Sequence, residues 1–384
     1  MTSIREAFQR IFSSAKPLPA GMYHYQAPSD DPRNYRLHLR IEPDGSGTLI
    51  INAATILHLN QTATEYAFYI VQNEPVEQVV SKVAARYKVT KDQARQDYQS
   101  LIDRIQSLVN TPDLDPETFL DFERKTPFSG ALIAPYRLDC ALTYRLPSDE
   151  PSDSAPTDRV KRELTAAEWK TILDKAWAAG IPHIVFTGGE PTLRDDLPEL
   201  IAHAETNSQV AGLISDGLRL ADQAYLDRLL QTGLDHLMLV LQPEHEQTWI
   251  ALQNALAADL NIAVHLTLTP QNVDEGPGLL KRLAQSGVKA ISLSSIDPTL
   301  YDALQALRGQ VAHLNLELVW NLPVPYSAQN PIALETKEYG HTPGAGRAWL
   351  YVEPDGDVLP EQGINQVLGN FLIDPWEKIW KPGR

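Results

Sequence analysis

The fold is decided by the stretch His183-Ile184-Val185-Phe186-Thr187-Gly188-Gly189-Glu190-Pro191-Thr192, in which a short apolar run passes directly into two glycines. Ile184, Val185 and Phe186 are typical of a buried strand, and paired glycines let the main chain turn tightly or approach a ligand closely. Two interpretations follow: a ligand-binding turn, or a strand-to-helix turn without a ligand.

Five other apolar runs of this kind alternate with amphipathic helical stretches. Together they predict strands at residues 138–144, 183–186, 211–214, 236–241, 262–268 and 290–293. The helix after the first strand should begin with a capping box, Thr165 to Glu168, and end at Gly180. Repeated strand–helix units favour a parallel sheet covered by helices. The predicted fold class is α/β, with a partial (β/α)6 TIM-like barrel at 136–320.

A separate module is predicted at residues 30–110. Apolar runs at 35–41 and 48–52 flank a Pro/Gly-rich turn at 43–47, which would close a hairpin, and three helical stretches follow. A hairpin followed by three helices indicates a winged-helix domain. Prolines interrupt residues 111–135, which we interpret as a linker.

The chain changes character again from residue 321. Pro323, Pro325 and Pro331 lead to a hairpin whose predicted turn is Pro354-Asp355-Gly356-Asp357. A short C-terminal extension is therefore predicted at 321–384.

The balance of charge argues against a nucleic-acid partner. Lys and Arg total 33 against 49 Asp and Glu, giving a formal net charge of -16, so the chain as a whole repels phosphate. No apolar stretch is long enough to cross a bilayer, and the amino terminus, with Glu6 among its first residues, lacks the apolar core of a signal peptide. We expect a cytoplasmic protein with no membrane partner.

Cysteine and histidine offer few metal ligands. Cys140 is the single cysteine, so no disulfide and no cysteine-only metal site can form within one chain. It is either a reactive thiol or a core residue, and its place on an apolar strand favours the core. The ten histidines show no metal-binding spacing, and His265 is the one expected to face the barrel interior.

Residues 135–145, together with the turn Gly188-Gly189-Glu190-Pro191, resemble the peptide-modifying kind of radical S-adenosylmethionine (SAM) enzyme. In that family the first barrel strand runs into a CxxxCxxC loop whose thiolates hold a [4Fe-4S] cluster, and the GGEP turn lines the SAM pocket. Laid over this pattern, the three cysteine positions fall on Leu146, Glu150 and Asp153. The resemblance therefore implies a family site without its thiolates.

From this comparison we expect no cofactor and no [4Fe-4S] cluster, with SAM binding left as an alternative. The resemblance implies a vestigial SAM pocket lined by Gly188, Gly189, Glu190, Pro191, Ser215 and Asp216. The acidic loop at 149–158 is alternatively a magnesium or calcium site, but its spacing matches no calcium loop, and a solvated loop is favoured.

Residues 348–360 resemble the start of a SPASM or twitch extension. In that extension a cysteine commonly follows the "dGdV.P" stretch and binds an auxiliary cluster, whereas this chain has Glu361 there. The resemblance implies that the accessory site is lost together with the main one.

Residues 57–63 and the helices after them resemble the PqqD-like peptide chaperones of pyrroloquinoline quinone biosynthesis, the RiPP recognition element of ribosomal peptide maturation. Such domains bind a leader peptide as an added strand beside the hairpin. Alternatives are a DNA-binding winged helix, which the acidity disfavours, and a module that merely packs on the barrel. The implied partners are a leader or precursor peptide and an active radical SAM enzyme.

These features favour a pseudoenzyme: a peptide-binding or scaffolding protein of RiPP maturation, derived from a radical SAM enzyme and unable to hold the cluster. An alternative is a cluster-free enzyme that still binds SAM or another small molecule in the barrel pocket, although no catalytic residue can be named for it. A third is that a partner protein donates the cysteines. The pseudoenzyme interpretation favours a protein without catalytic activity.

Overall fold

The computed structural model describes residues 16–28, 30–33, 35–52, 55–111, 132–147, 159–258, 260–320, 322–325, 327 and 344–381. The chain divides into two compact units, Met1–Ser129 and Gly130–Arg384. The finer boundaries predicted at residues 30, 110, 136 and 321 stay predictions. Most of the proposed linker at 111–135 lies outside the described residues. Within the described ranges, no helix combines the length and the apolarity needed to span a bilayer.

The first unit contains a four-stranded antiparallel sheet. Its strands, in spatial order, are β1 (Gly21–Gln26), β2 (Arg36–Ile41), β3 (Gly47–Ile51) and β4 (Thr55–Leu59). The predicted hairpin is present as β2 and β3, in which Leu39 lies opposite Leu49. Because β1 pairs with β2 and β4 pairs with β3, both sides of this hairpin are occupied. The sequence suggested that a peptide could add directly beside the hairpin, but β1 and β4 occupy those positions. The winged-helix class stays a prediction.

Three helices follow this sheet. They are α1 (Gln61–Val71), α2 (Val76–Tyr87) and α3 (Lys91–Asn110). Asn60 caps α1 by accepting a hydrogen bond from the Ala63 N–H at 2.9 Å. The apolar stripes of the helices share one core with Leu39 and Leu49 of the sheet. Burial of each large apolar side chain, worth about 1.5–3 kcal/mol, holds the sheet and helices together.

The second unit is built on a ten-stranded sheet. Its spatial order is β11 (Glu317–Leu318), β10 (Ala290–Ser295), β9 (Asn261–Leu268), β8 (Leu234–Val240), β7 (Val210–Ser215), β6 (His183–Gly188), β5 (Arg137–Thr143), β12 (Trp349–Val352), β13 (Asp357–Leu359) and β14 (Gly369–Asn370). Every pairing from β11 to β12 is parallel. The α/β class with a parallel sheet is confirmed, and the six predicted strands are β5 to β10. Closure into a partial barrel stays a prediction.

The helices of this unit alternate with the strands along the chain. They are α4 (Ala166–Ala179), α5 (Leu197–Thr206), α6 (Gln223–Gln231), α7 (Glu246–Ala257), α8 (Gly276–Gln285), α9 (Tyr301–Val311) and the short α10 (Trp376–Ile379). The predicted capping box of α4 is present, because Thr165 and Glu168 each accept the other's backbone N–H. Gly180 ends α4 with a φ of 93°.

One face of the parallel sheet is apolar, whereas the other combines polar side chains with the apolar cluster of Val185, Ile214 and Met238. One face, here called the apolar face, carries Leu138, Cys140 and Phe186, all fully buried. The strand register places Arg137 beside His183 and His265 beside Ser292 on the opposite, polar face. Buried polar groups must find hydrogen-bond partners within the protein, so this face contains paired side chains.

His183 and His236 form one such pair across strand β7. Their Nε2 atoms are 2.6 Å apart. The ring of His236 covers Gly212, where a Cβ would come within 2.0 Å of ring carbon Cε1. Glycine is therefore required at this position of β7 because the imidazole occupies the space of a side chain.

His265 lies on the polar face, and three hydroxyl groups hold its ring. Nδ1 is 3.0 Å from the hydroxyl of Ser292, and Nε2 is 3.1 Å and 3.0 Å from those of Thr267 and Ser294. Burial lowers the pKa of His265 to about 4. The ring is therefore neutral near pH 7.

Replacing Gly212 by alanine should destabilise the protein. The new Cβ would push the ring of His236 away from His183, and we expect a loss of about 2 kcal/mol in the free energy of unfolding, measured by urea denaturation. Gly309→Ala is the matched control, since a Cβ there meets no atom within 4 Å. In the interior of α9 it should stabilise by about 0.5–1 kcal/mol. Equal effects of the two variants would contradict the close packing of His236 on β7.

Acid should weaken the fold partly through His265. Its folded-state pKa lies below the ordinary value of 6.5, so the stabilisation is fully present above that pH and is lost as the pH falls toward 4. His265→Asn removes the titration but keeps a neutral polar side chain. We expect the stability gap between wild type and H265N, measured by urea unfolding, to shrink by about 2 kcal/mol between pH 7 and pH 5. A gap that does not change with pH would rule out a buried neutral imidazole.

Candidate functional site

The turn after β6 lies against the main chain at the end of β5. The Gly189 N–H donates to the Thr143 carbonyl at 2.8 Å, and the Glu190 N–H donates to the Arg145 carbonyl at 2.9 Å. A Cβ on Gly188, whose φ is 125°, would come within 2.1 Å of the Thr143 oxygen, and one on Gly189 within 2.4 Å of the Arg145 oxygen. Both glycines are therefore required by contacts inside the protein, whether or not a ligand binds.

Glu190 joins the ends of β6 and β7 through its buried carboxylate. One oxygen accepts hydrogen bonds from the N–H and hydroxyl of Thr192, at 2.9 and 2.6 Å, and from the hydroxyl of Ser215, at 2.9 Å. The other oxygen accepts from the N–H of Asp216, at 2.8 Å. All four donors belong to the protein, so we expect a ligand to contact this turn mainly through its main chain.

Glu190 and Asp216 are adjacent buried acids, and each affects the other. Burial, together with the charge of Asp216, raises the pKa of Glu190 to about 8. Burial also raises the pKa of Asp216, although its carboxylate accepts from the Leu218 N–H at 2.9 Å. Each carboxyl therefore retains its proton to higher pH than a separate one would, while the four hydrogen bonds donated to Glu190 favour its ionised form.

Arg194 fixes the segment that follows Glu190. Pro191 opens a short 3₁₀ turn, Pro191–Leu193, and the buried Arg194 comes next. Its guanidinium donates to the carbonyls of Leu142 and Leu164, at 3.1 and 3.0 Å. The structure therefore brings all six predicted pocket residues together at the carboxyl ends of β6 and β7. Their role in binding SAM stays a prediction.

Thr187 is a further candidate that the sequence interpretation missed. It lies in register with Ala141, on the polar face, immediately before the two glycines. Its hydroxyl is fully buried and has no hydrogen-bond partner among the described residues. A buried hydroxyl without a protein partner costs free energy, so a water molecule or a ligand group is the expected partner. The sequence signal that could have identified Thr187 was its position at the end of an apolar strand, directly before the glycine pair.

The loop after β5 is only partly within the described residues. Leu146 is half-buried, whereas Glu150, Asp153 and the rest of the acidic segment at 149–158 lie outside them. The magnesium or calcium alternative for this loop therefore stays untested. Cys140 is fully buried on the apolar face, and burial raises the pKa of its thiol, which agrees with the core interpretation.

The predicted C-terminal hairpin is present. Strands β12 and β13 pair antiparallel around the turn at 353–356, with Tyr351 opposite Leu359. The sequence did not predict that β12 would also pair in parallel with β5, which places the hairpin beside the first strand of the sheet. Glu361, at the position of the family cysteine, is half-buried. The relationship to a SPASM extension stays a prediction.

Residues 140–243 match the model of the radical SAM superfamily. This range contains the Gly188–Gly189 turn, Glu190 and Ser215. The PqqA peptide cyclase of Streptomyces rochei is 28% identical over 66% of this chain and 78% of its own length. That of Methylobacterium sp. (strain 4-46) is 28% identical over 64% of this chain and 71% of its own length.

Streptococcus suis SuiB has a similar fold. Its complex with the precursor peptide SuiA superposes with a TM-score of 0.57, covering 93% of this chain and 88% of SuiB at 13% identity. Its complex with S-adenosylmethionine gives a TM-score of 0.55, covering 90% of this chain and 86% of SuiB at 15% identity. At these identities the similarity establishes the fold alone.

The cofactor prediction made from the sequence is wrong. We expected no cofactor and no [4Fe-4S] cluster because Leu146, Glu150 and Asp153 occupy the cysteine positions of the family. The match to the radical SAM superfamily and the homology to PqqA peptide cyclases contradict that expectation. Substitutions in one loop were therefore too narrow a basis for concluding that no cofactor is used.

The side chains at this site differ in how well they suit SAM and a cysteine-held cluster. For SAM, the unpaired hydroxyl of Thr187 beside the glycine turn is a fitting contact. For a cysteine-held cluster the residues do not fit, because Cys140 is the single cysteine of the sequence and lies buried on a strand. Leu146 has no donor atom in its side chain.

The resemblance inferred from the sequence is thus confirmed at the level of the domain and of homology. The PqqD-like element and the loss of the cluster were finer inferences that the comparisons do not support. Residues 140–243 form a radical SAM domain, and the chain is homologous to the PqqA peptide cyclases.

Proposed function

We propose that this chain acts in the maturation of a ribosomally synthesised peptide, as a peptide-binding or scaffolding protein whose parallel-sheet pocket binds SAM. The observation that carries the proposal is the similarity to PqqA peptide cyclases, which spans 286 residues and so extends well beyond the matched domain. SuiB, which shares the fold, was solved with a precursor peptide and, separately, with SAM. We propose that this chain likewise binds a precursor peptide and SAM.

The main chain of the turn after β6 is the part that we assign to SAM. The N–H groups of Gly189 and Glu190 already donate to Thr143 and Arg145, so this turn has carbonyl oxygens to offer instead. The methionine end of SAM carries an ammonium group, which donates hydrogen bonds and matches such oxygens. Thr187 would add its unpaired hydroxyl. When bound, SAM would supply a sulfonium centre from which a carbon group can be transferred as its carbon–sulfur bond breaks and a thioether is left.

SAM titration by calorimetry tests this assignment. We expect saturable binding at one site per chain. Glu190→Gln should weaken binding about tenfold, because the amide opposes one of the four donors that hold the turn and the turn shifts. Glu77→Gln is the matched control, since it makes the same substitution at an exposed position of α2 in the first unit, where the carboxylate pairs with Arg95. No saturable heat from wild type would refute SAM binding.

A peptide strand is the partner that suits the first unit. Among the described strands, β1 and β4 form the two edges of the four-stranded sheet. Edge strands present unpaired main-chain groups to which an extended peptide can add. We assign the peptide to β4 because it leads directly into the segment at 57–63 that carries the resemblance to leader-binding domains. Its Ile56 is half-buried and can contact a neighbouring strand.

Binding of a labelled PqqA peptide to the full chain, followed by fluorescence anisotropy, tests this edge. Ile56→Lys should weaken binding about tenfold, because a lysine on an edge strand opposes pairing with a further strand. Gln99→Lys, on the exposed side of α3, adds the same charge elsewhere and should leave binding unchanged. If both variants weaken binding equally, charge and not the β4 edge is responsible. If wild type binds neither PqqA nor SuiA, peptide recognition is refuted.

As a scaffold, this chain would bind a second protein. An active radical SAM enzyme is the partner that we infer, because this chain brings peptide-binding features and a SAM-type pocket together but offers a single buried thiol, Cys140. In this role the chain would hold the precursor peptide while the partner modifies it.

A further inference from the structure

Both ends of the loop that follows β5 meet on one carboxylate of the C-terminal hairpin. Tyr144, where the loop begins, donates its hydroxyl to Glu353 Oε1 at 3.1 Å. Arg159, at the other end, contacts the second oxygen of Glu353 and lies 3.5 Å from the carboxylate of Asp357. Glu353 is fully buried. A buried carboxylate is costly unless it is paired, so the hydrogen bond from Tyr144 and the ion pair with Arg159 both contribute to the stability of this part of the fold.

Other bonds close the same two chain segments against each other. The Thr143 hydroxyl donates to Glu163, and the Arg145 guanidinium lies 3.3 Å from the same carboxylate. The Leu164 N–H donates to the Pro354 carbonyl of the hairpin at 2.7 Å. Residues 143–145 and 159–164, here called the neck, are therefore held together by side chains and main chain of the protein itself.

The neck in turn positions the candidate SAM turn. Gly189 and Glu190 both donate their N–H groups to carbonyls of the neck, those of Thr143 and Arg145. The turn is bonded to the neck through both of these N–H groups, and Gly188 lies so close to the Thr143 oxygen that no side chain would fit between them. A displacement of the neck must therefore be transmitted to the main-chain groups assigned to SAM.

The acidic side chains of the hairpin invite a different interpretation, a cation site. Carboxylate oxygens of Glu353, Asp355 and Asp357 lie within 4.8 Å of one another. Arg159, however, already places its guanidinium against two of these three carboxylates. The positive charge is thus supplied by the protein, and the group does not indicate a metal.

We propose that Glu353 is a positioning residue for the candidate SAM pocket: by holding Tyr144 and Arg159 together, it fixes the neck and, through the neck, the turn at Gly188 to Glu190. The inference rests on the proposed function for the identity of the ligand. The contact path itself runs entirely through described residues of the second unit.

Native-state hydrogen exchange, followed by mass spectrometry, tests the path without any ligand. The variants are Glu353→Gln, which weakens both contacts, and Tyr144→Phe, which removes one hydroxyl. In each, the peptide covering residues 186–192 should exchange about tenfold faster than in wild type, because the Gly189 and Glu190 amides lose protection when the neck loosens. Asn370→Ala is the matched control. Asn370 bonds the Asp355 carbonyl and the Asp357 carboxylate of the same hairpin, at 3.1 and 2.9 Å.

SAM calorimetry on the same variants supplies the second measurement. We expect E353Q and Y144F to weaken SAM binding about tenfold and N370A to leave it within about twofold of wild type. Unchanged exchange at 186–192 in Y144F and E353Q overturns the positioning role, even if E353Q is less stable. Equal acceleration in N370A also overturns it, since general loosening of the hairpin would then suffice. If wild type does not bind SAM, the proposed function fails, while faster local exchange still supports the path from Glu353 to the turn.

Discussion

The contact between the glycine turn and the end of β5 is the constraint on which the second unit depends. The N–H groups of Gly189 and Glu190 donate to the carbonyls of Thr143 and Arg145, where the chain leaves the sheet. Neither Gly188 nor Gly189 has room for a Cβ. Parallel strands leave such main-chain groups at their carboxyl ends, where each must find a partner or face a ligand. The same contact therefore completes the hydrogen bonding of the sheet and fixes the geometry of the candidate pocket.

Glu190 extends this arrangement to the neighbouring strand. Four donors surround its carboxylate, two from Thr192 and one each from Ser215 and the main chain of Asp216. Removing water from a carboxylate is expensive, and such a set of donors is what offsets that cost. The residue that the sequence comparison placed in a ligand pocket is thus first a structural link between β6 and β7. Any ligand-binding role of the turn must operate through main-chain oxygens and through Thr187.

The sequence predicted those elements whose signals are local. Strands β5 to β10 were found because each is an apolar run next to an amphipathic helix, and the capping box of α4 was found because its residues are three apart. Strand β12 could be recognised as part of a hairpin, but not as a parallel neighbour of β5, because nothing in either segment encodes a pairing across more than two hundred residues. Strands β1 and β4 were missed for a local reason: Tyr23, His24 and Tyr25 weaken the apolar pattern of β1, and β4 runs directly into the cap of α1.

The site shows a second limit of inference from sequence. Because Leu146, Glu150 and Asp153 replace the family cysteines, we inferred that no cofactor is used, and the homologues contradict that inference. The residue types of one loop were not enough to support it. What the sequence could not show was how the neck is held. Tyr144 and Arg159 lie on either side of that loop, and Glu353 comes from a hairpin at the other end of the chain, so only the folded structure reveals that one carboxylate joins them. Because the strand that precedes Glu353 is itself paired with β5, the hairpin reaches the neck through the sheet and not through a flexible tail. The C-terminal hairpin is therefore part of the structure that supports the candidate pocket.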